Sequence, residues 1–279
     1  MEGFVATIGM FDGVHKGHQF VLRQVVEQAR QRRLQSCCIT FDHSPRREQV
    51  LTPLDEKLRL IRQAGIDHIE VLQFTEALKS LTAREFMDQT LKQQLNVKVL
   101  LTGYDNRFGH RREEGFDDYV RYGHELGIEV VGLPAEGDVS SSRIRQLLLS
   151  GQVSEAAKAL GHPYSISGHV THGEHIGTTL GFPTANLLPD DPCQLIPAGG
   201  VYAVKCGQLK GMMNIGTRPT FGEHTRTLEV HLLDYSGNLY DQQLTVDFFS
   251  RLREERSFDS PEALIKQLQK DAIQAQQQL

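Results

Sequence analysis

Apolar residues follow two rhythms along this chain, and the change between them divides it. In the first part, short apolar runs alternate with stretches of helical spacing. Val5–Ile8, Ser36–Phe41, His68–Gln73, Val97–Thr102 and Ile128–Leu133 have the length and content of buried strands. Leu22, Val25, Val26 and Ala29 form the stripe of a helix over Phe20–Arg33. Thr52-Pro53 predicts a second helix, with Thr52 as cap, Pro53 in the first helical position and Gly65 as stop. Thr82-Ala83-Arg84-Glu85 has the form of a capping box and opens a third, reaching about Leu95. Phe116–Leu126 is a fourth, stopped by Gly127, and Ser140 caps a fifth running to about Leu149. Five strands with helical crossovers predict an α/β domain. Its parallel sheet is covered on both faces, and ligands bind beyond the carboxyl ends of the strands.

Around Gly161-His162-Pro163 the rhythm shortens. Tyr164–Thr171, Gly200–Cys206, Gly211–Ile215, Thr227–Asp234 and Gln243–Ser250 read as closely spaced strands punctuated by glycine and proline. They predict a small antiparallel barrel. Ser260-Pro261-Glu262 starts a closing helix whose glutamine tail, Gln276 to Gln278, is expected to fray. The expected domains are residues 1–160, α/β, and 161–279, all-β.

With 279 residues, 39% hydrophobic and 23% charged, both domains can bury a core. The net charge is −5, and basic residues outnumber acidic ones in neither part: 21 against 22 over 1–160, and 9 against 13 over 161–279. That disfavours nucleic acid as a partner. No run approaches the length of a membrane span. The start, Met1-Glu2-Gly3, lacks the basic stretch and apolar core of a signal peptide, which predicts a cytoplasmic protein. Cys37, Cys38, Cys193 and Cys206 make no CxxC pair and read as reduced packing residues. Strand alternation sends Cys37 and Cys38 to opposite faces.

Three loops at strand ends carry the chemistry of the first domain. Gly9-Met10-Phe11-Asp12-Gly13-Val14-His15-Lys16-Gly17-His18 leads straight into a helix. Glycines admit a ligand to the backbone, a helix start favours anions, and two histidines three apart can both donate to one polyphosphate. Gly103–Gly109 follows the fourth strand, and Val139–Arg145 the fifth. Ser141, Ser142 and Arg145 make either an anion site or a plain helix start with solvated arginines. All three loops are expected to converge on one edge of the sheet. Neither a GxxxxGK[ST] loop nor a GxGxxG turn is present. In the second domain Pro183 stiffens the turn before Thr184, and Thr184 and Asn186 share a side if extended. Hard oxygen donors of this kind suit Mg²⁺. His169, His172 and His175 invite zinc, but residues three apart on a strand face opposite sides.

These residues resemble a known family. His15-Lys16-Gly17-His18 is similar to the HxGH signature of the nucleotidyltransferase superfamily, and Val139–Arg145 to its SSTxxR-type signature. Phe11–His18, Phe41-Asp42-His43-Ser44-Pro45 and Arg107-Phe108-Gly109 resemble the adenylyltransferase module of the bacterial bifunctional riboflavin kinase/FAD synthetase family. Gly177–Asn186, Asn214–Phe221, Leu228-Glu229-Val230-His231, Leu252-Arg253, Phe258 and the closing helix resemble its kinase module. The resemblance implies a Rossmann-like nucleotidyltransferase domain followed by a riboflavin kinase barrel with a C-terminal helix. It also implies two reactions: riboflavin phosphorylation by ATP to FMN, and FMN adenylylation by ATP to FAD with release of pyrophosphate. It implies that His15, His18 and Arg145 act on ATP phosphates, and that Ser141 and Ser142 join Arg145 on the departing pyrophosphate. Gly9, Phe11, Asp12, Gly13, Asp105 and Arg107 would line that first site. Glu229 would be the kinase base, Thr184 and Asn186 would organise Mg²⁺ and phosphates, and Gly177, Gly181 and Arg253 would bind ligand. Met10 stands where the family usually has Asn, Ser142 where Thr is usual, and Thr178 where Arg is often found. Ile176 lies where a basic residue is common; the last two changes are expected to weaken ATP binding. Rival readings are a chain with one working site and a flavin-binding protein without catalysis.

Overall fold

The computed structural model describes residues 3–43, 49–103, 106–110, 113–134, 136–171, 181–220 and 223–279, with the backbone alone at 218–220 and 223–225. The chain forms two compact units, Met1–Ser141 and Ser142–Leu279.

In the first unit the order is β1 (Phe4–Ile8), α1 (Lys16–Arg32), β2 (Gln35–Phe41), α2 (Leu54–Gln63) and β3 (His68–Leu72). Then come α3 (Glu76–Ser80), α4 (Ala83–Phe86, continued as a π-helix over Met87–Gln94), β4 (Val97–Gly103), α5 (Phe116–Leu126) and β5 (Glu129–Leu133). The strands form one parallel sheet, β3-β2-β1-β4-β5. The order reverses between β1 and β4, which places a binding crevice beyond their carboxyl ends. Alternation splits the core into two layers. Cys37 joins Ala6, Ile39 and Leu100 on the face that Phe86, Met87, Leu91 and Tyr119 cover. Cys38 joins Val5, Val99 and Leu101 under Leu22, Val25, Ala29 and Ile61. The two adjacent cysteines do face opposite ways, and burial raises both thiols, Cys37 to about 12.

Several expected boundaries move for identifiable reasons. Helix α1 starts at Lys16, not Phe20, because His15 caps it: its Nδ1 accepts the backbone N–H of His18 at 3.4 Å. Helix α2 has Pro53, not Thr52, at its N-cap: the Pro53 carbonyl accepts the first helical N–H, from Lys57 at 2.9 Å, and Thr52 lies one residue outside. The Thr82/Glu85 capping box forms as expected. The α3 helix, capped by Thr75, is too short for periodicity to show.

The second unit holds α6 (Ser141–Leu149, its first residue closing the first unit), α7 (Val153–Leu160), β6 (Tyr164–Thr171), β7 (Ala185–Pro189) and β8 (Gly200–Cys206). It continues with β9 (Leu209–Thr220), β10 (Glu223–Leu232), β11 (Gln243–Arg253) and α8 (Pro261–Gln278). The six strands close an antiparallel barrel, β10-β7-β6-β11-β8-β9. Tyr164, Ile166 and Val170 point inward with Val246, Phe248, Met213 and Val230, all at most 2% exposed. Helices α6 and α7 tie to the barrel through Ala198 N–H to Leu148 O and Ser154 Oγ to Phe249 O. Ser260 caps α8, with Pro261 first in the helix. Its glutamine tail does not fray. It is helical to Gln278, whose Oε1 accepts from Ser250 Oγ, while Lys210 Nζ donates to Gln276 O at 3.1 Å. Cys206 is buried, whereas Cys193 is exposed and so is not a packing residue.

Candidate active sites

The loop after β1 is held from behind at almost every residue. Phe11, Gly13 and Val14 adopt φ of 50°, 85° and 39°. Left-handed backbone at a β-branched residue is strained by about 1–3 kcal/mol and persists only where packing imposes it. Here Phe11 and Val14 are 3% and 1% exposed, locked into the layer beneath α1. Asp12 Oδ1 accepts the N–H groups of Leu51 and Thr52 at 2.9 and 3.1 Å. The carbonyl of Met10 accepts from Thr40 Oγ1 and Lys57 Nζ, both at 3.3 Å. The anchoring at this position is therefore carried by backbone, whatever the side chain. Lys57, 5% exposed, also donates to Phe41 O at 2.8 Å and so braces the ends of β1 and β2. Burial lowers its pKa, against the pull of Asp12, Cys38 and Asp42.

The other two loops reach this one. Asn106 Nδ2, beyond β4, donates to Ile8 O at 2.6 Å. Ser141 Oγ donates to Asp12 O at 2.9 Å. The expected convergence of three loops on one sheet edge is thus made by two side-chain hydrogen bonds. Arg107 Nη1 donates to Glu114 O, and the Phe108 ring stacks on Tyr119 at 4.1 Å, which seats the second loop. Ser142 is exposed and Arg145 half-buried; both lie on α6 within the second unit. Asp105 lies outside the described residues.

The rings of His15 and His18 stack at 3.6 Å between centroids, 18° from parallel, and Phe11 meets His18 edge-on at 5.1 Å. Two protonated imidazoles so close would repel. Burial first, then His15 and Lys57, hold His18 well below the usual 6.5. Because His15 Nδ1 accepts the capping hydrogen bond, its proton sits on Nε2, which becomes a donor. His18 Nδ1 is enclosed and has no partner among the described residues.

On the barrel, strand pairing draws a row of side chains. Asn186 on β7 pairs with Glu229 on β10, which pairs with Asn214 on β9. Asn214 pairs with Val201 on β8, and Val201 with Arg253 on β11. Direct partners share a face. Leu187, Leu228, Val230, Met213 and Ile215 point inward, so this row lies on the outer wall. Thr184 and Asn186 flank buried Ala185 and lie on one side. The Pro183 turn is pinned by its carbonyl, 2.8 Å from His231 Nδ1, and Phe182 packs edge-on against the His231 ring at 5.2 Å. Gly181, at φ 81°, takes a turn conformation that L side chains rarely adopt. Arg253 is bound by Asp271 at 2.9 Å. A hydroxyl just before β7, a carboxamide on β7 and, paired with it, a carboxylate on β10 offer oxygen donors of the kind that suit Mg²⁺. His169 is engaged by Asp190 at 2.9 Å; His172 and His175, like Gly177, Ile176 and Thr178, lie outside the described residues.

Sequence reasoning passes over Lys57, and it gives Asn106, Asn214 and His231 no individual role although they lie in the loop and motifs quoted above. Lys57 carries one usable signal: it sits four residues before buried Ile61, on the apolar stripe of α2.

A strand-end loop with a paired-histidine helix start, and apart from it a barrel wall bearing hydroxyl, amide and carboxylate, define a two-domain ATP-using transferase. Residues 1–145 match the FAD synthetase family and residues 160–279 the riboflavin kinase family. Bifunctional riboflavin kinase/FMN adenylyltransferases are among the relatives. That of Escherichia coli (strain K12) is 38% identical, over 99% of this chain and 93% of its own. That of Pseudomonas fluorescens is 40% identical, over 98% and 92%. The chain belongs to the bifunctional riboflavin kinase/FMN adenylyltransferase family. A crystal structure of a Streptococcus pneumoniae protein described as a macrolide-efflux protein superposes with a TM-score of 0.90 and 32% identity, covering 99% of this chain and 95% of that one. No helix among the described residues of the present chain is long and apolar enough to cross a membrane.

Proposed function

We propose that the two chemistries of this bifunctional enzyme are divided between the barrel wall and the histidine loop. Riboflavin kinase and FMN adenylyltransferase are its activities, and ATP, riboflavin and FMN its substrates. Residues 161–279 serve the first step and 1–160 the second. The two family matches, which end at 145 and resume at 160, support that division.

The 5′-hydroxyl of riboflavin is a neutral alcohol, so attack on the γ-phosphorus of ATP gains from a base. Glu229 takes that role, and the observation that carries it is its pairing with Asn186 across β7 and β10. Thr184 and Asn186 would hold Mg²⁺, which when bound neutralises charge on the transferring phosphoryl group. Arg253 and Gly181 bind the flavin, and Gly177 the nucleotide. FMN, by contrast, brings an anionic phosphate and needs no base to attack the α-phosphorus of ATP. Catalysis there is placement. His15 Nε2–H and His18 donate to ATP phosphates, and Ser141, Ser142 and Arg145 hold the departing pyrophosphate. Gly9, Phe11, Asp12 and Gly13 shape the loop, with Asp105 and Arg107 beside the flavin. Both steps draw on ATP and Mg²⁺, which suits the cytoplasm; neither nucleic acid nor membrane enters.

A timed chromatogram of flavins from riboflavin, ATP and Mg²⁺ tests the division. Glu229→Ala stops FMN formation while supplied FMN still becomes FAD. His18→Ala accumulates FMN and loses FAD by about 100-fold or more, the scale of a lost transition-state donor. Equal loss of both activities in either folded variant contradicts the reading, and riboflavin bound but unchanged by the wild-type chain favours a carrier.

A further inference from the structure

At the far end of the barrel row from Glu229, a buried acid holds an arginine in place. Asp271, on α8, is 1% exposed, a costly position for a carboxylate unless each oxygen is bonded. Both are. Oδ2 accepts from Arg253 Nε at 2.9 Å, and Oδ1 accepts from Gln267 Nε2 at 2.6 Å. Gln267 cannot turn its amide round without loss, because its Oε1 accepts from Arg256 Nη2. Arg253 and Arg256 both lie over the Phe258 ring, at 5.6 and 4.9 Å. The chain Arg256–Gln267–Asp271–Arg253 thus closes around one aromatic ring.

The result is an arginine fixed on its back edge. Nε is taken by Asp271 and Nη1 by Glu254 O at 3.1 Å, while no described residue accepts from Nη2. The neighbouring Arg251 is different: its Nη2 is spent on Gly199 O. The bulges in β11 on either side of Arg251 aim Leu252 and Arg253 toward α8, where Leu252 packs with Val201, Ala272 and Ala275. On the closed barrel Arg253, on β11, stands three strands from Glu229, on β10.

We propose that Asp271 is a positioning residue for riboflavin binding, acting through Arg253. This rests on the assignment of Arg253 to the flavin made above. Both neighbours of Asp271 are donors, so an amide in its place must turn its NH₂ toward one of them. In the full-length protein, Asp271→Asn raises the riboflavin KM about tenfold and leaves kcat within about twofold, as removal of uniform binding requires. The ATP KM and the conversion of supplied FMN to FAD stay unchanged. Arg253→Ala raises the riboflavin KM at least as much, and adding Asp271→Asn to it changes the KM by less than about twofold, since the two residues act as one.

If Arg253→Ala leaves the riboflavin KM unaltered, the assignment of Arg253 to the flavin fails and the proposal with it. If Arg253→Ala raises it and Asp271→Asn does not, the assignment stands and the proposal is overturned. The proposal is overturned equally if Asp271→Asn keeps its full effect in the Arg253→Ala background. Should Asp271→Asn not fold, Gln267→Ala carries the test, with an expected rise of about threefold; an unchanged KM there overturns it.

Discussion

The histidine pair is where one residue's environment sets a measurable property of the first unit. His18 is pushed below its usual pKa by burial, His15 and Lys57, so the folded unit resists a proton that the unfolded chain accepts near pH 6.5. Between the lowered value and 6.5 the unfolded state binds more protons, so stability rises with pH across that window and is flat above it. The slope approaches about 1.4 kcal/mol per pH unit at most. His18→Asn should flatten it. Denaturation of both proteins between pH 5 and 8, followed in the transition that the substitution displaces, tests this; parallel curves would remove His18 as its source. At this scale legibility follows chemistry. The histidines announce themselves by spacing and glycine context. Lys57 does not, because a lysine on an amphipathic helix reads as solvated until Met10 O and Phe41 O are seen to accept its hydrogen bonds. Asp271 is hidden likewise, close to a helix tail expected to fray.

Elements are more legible than their ends. Among the described residues, most of the eleven strands and eight helices follow periodicity, but where each begins depends on which backbone groups are already spent. His15 moves the start of α1 by capping it, and in α2 the Pro53 carbonyl takes the first helical hydrogen bond, from Lys57 N–H. Strand β7 reads in the sequence as a motif rather than a strand, since Pro183 precedes it and only pairing with β6 and β10 makes it one. One glycine shows how tightly elements set the catalytic edge. Gly109 has φ 90°, and a Cβ there would lie 2.5 Å from the backbone N of Ala83, at the start of α4. His110 N–H, next in the chain, donates to Leu81 O at 2.7 Å. Gly109→Ala therefore carries both left-handed strain and a backbone collision, and should cost about 2 kcal/mol or more. Because that loop carries Asn106 to Ile8, adenylyl transfer should fall while riboflavin phosphorylation holds. A variant with wild-type stability and both activities would show that the loop does not depend on this contact.

For the whole molecule the proposed sites predict two chemistries that can be lost separately. Each unit has its own hydrogen-bonded frame, a parallel sheet with two core layers in one and a closed barrel in the other. The residues proposed for phosphorylation, Thr184, Asn186, Glu229 and Arg253, belong to the barrel unit, and His15 and His18, proposed for adenylyl transfer, to the sheet unit, while Ser142 and Arg145 lie on α6 in the second unit. Strands β7 and β9 fix Glu229 by pairing with β10, whereas His18 is fixed in the first turn of α1, so these two residues are held by separate elements. Effects of substitutions at such sites add. Independence also has a form that single variants do not reach. Glu229→Ala chains should retain adenylyl transfer and lack phosphorylation, and His18→Ala chains the reverse. Mixed in one tube with riboflavin and ATP, they should make FAD, because FMN released by the second is a free substrate for the first. The rate should rise with the concentration of Glu229→Ala chains until phosphorylation limits it, and each variant alone should yield almost none. If the mixture makes FMN but no FAD, while FMN added by hand is converted, the intermediate is retained on the chain that forms it, and the two sites are coupled by something other than diffusion.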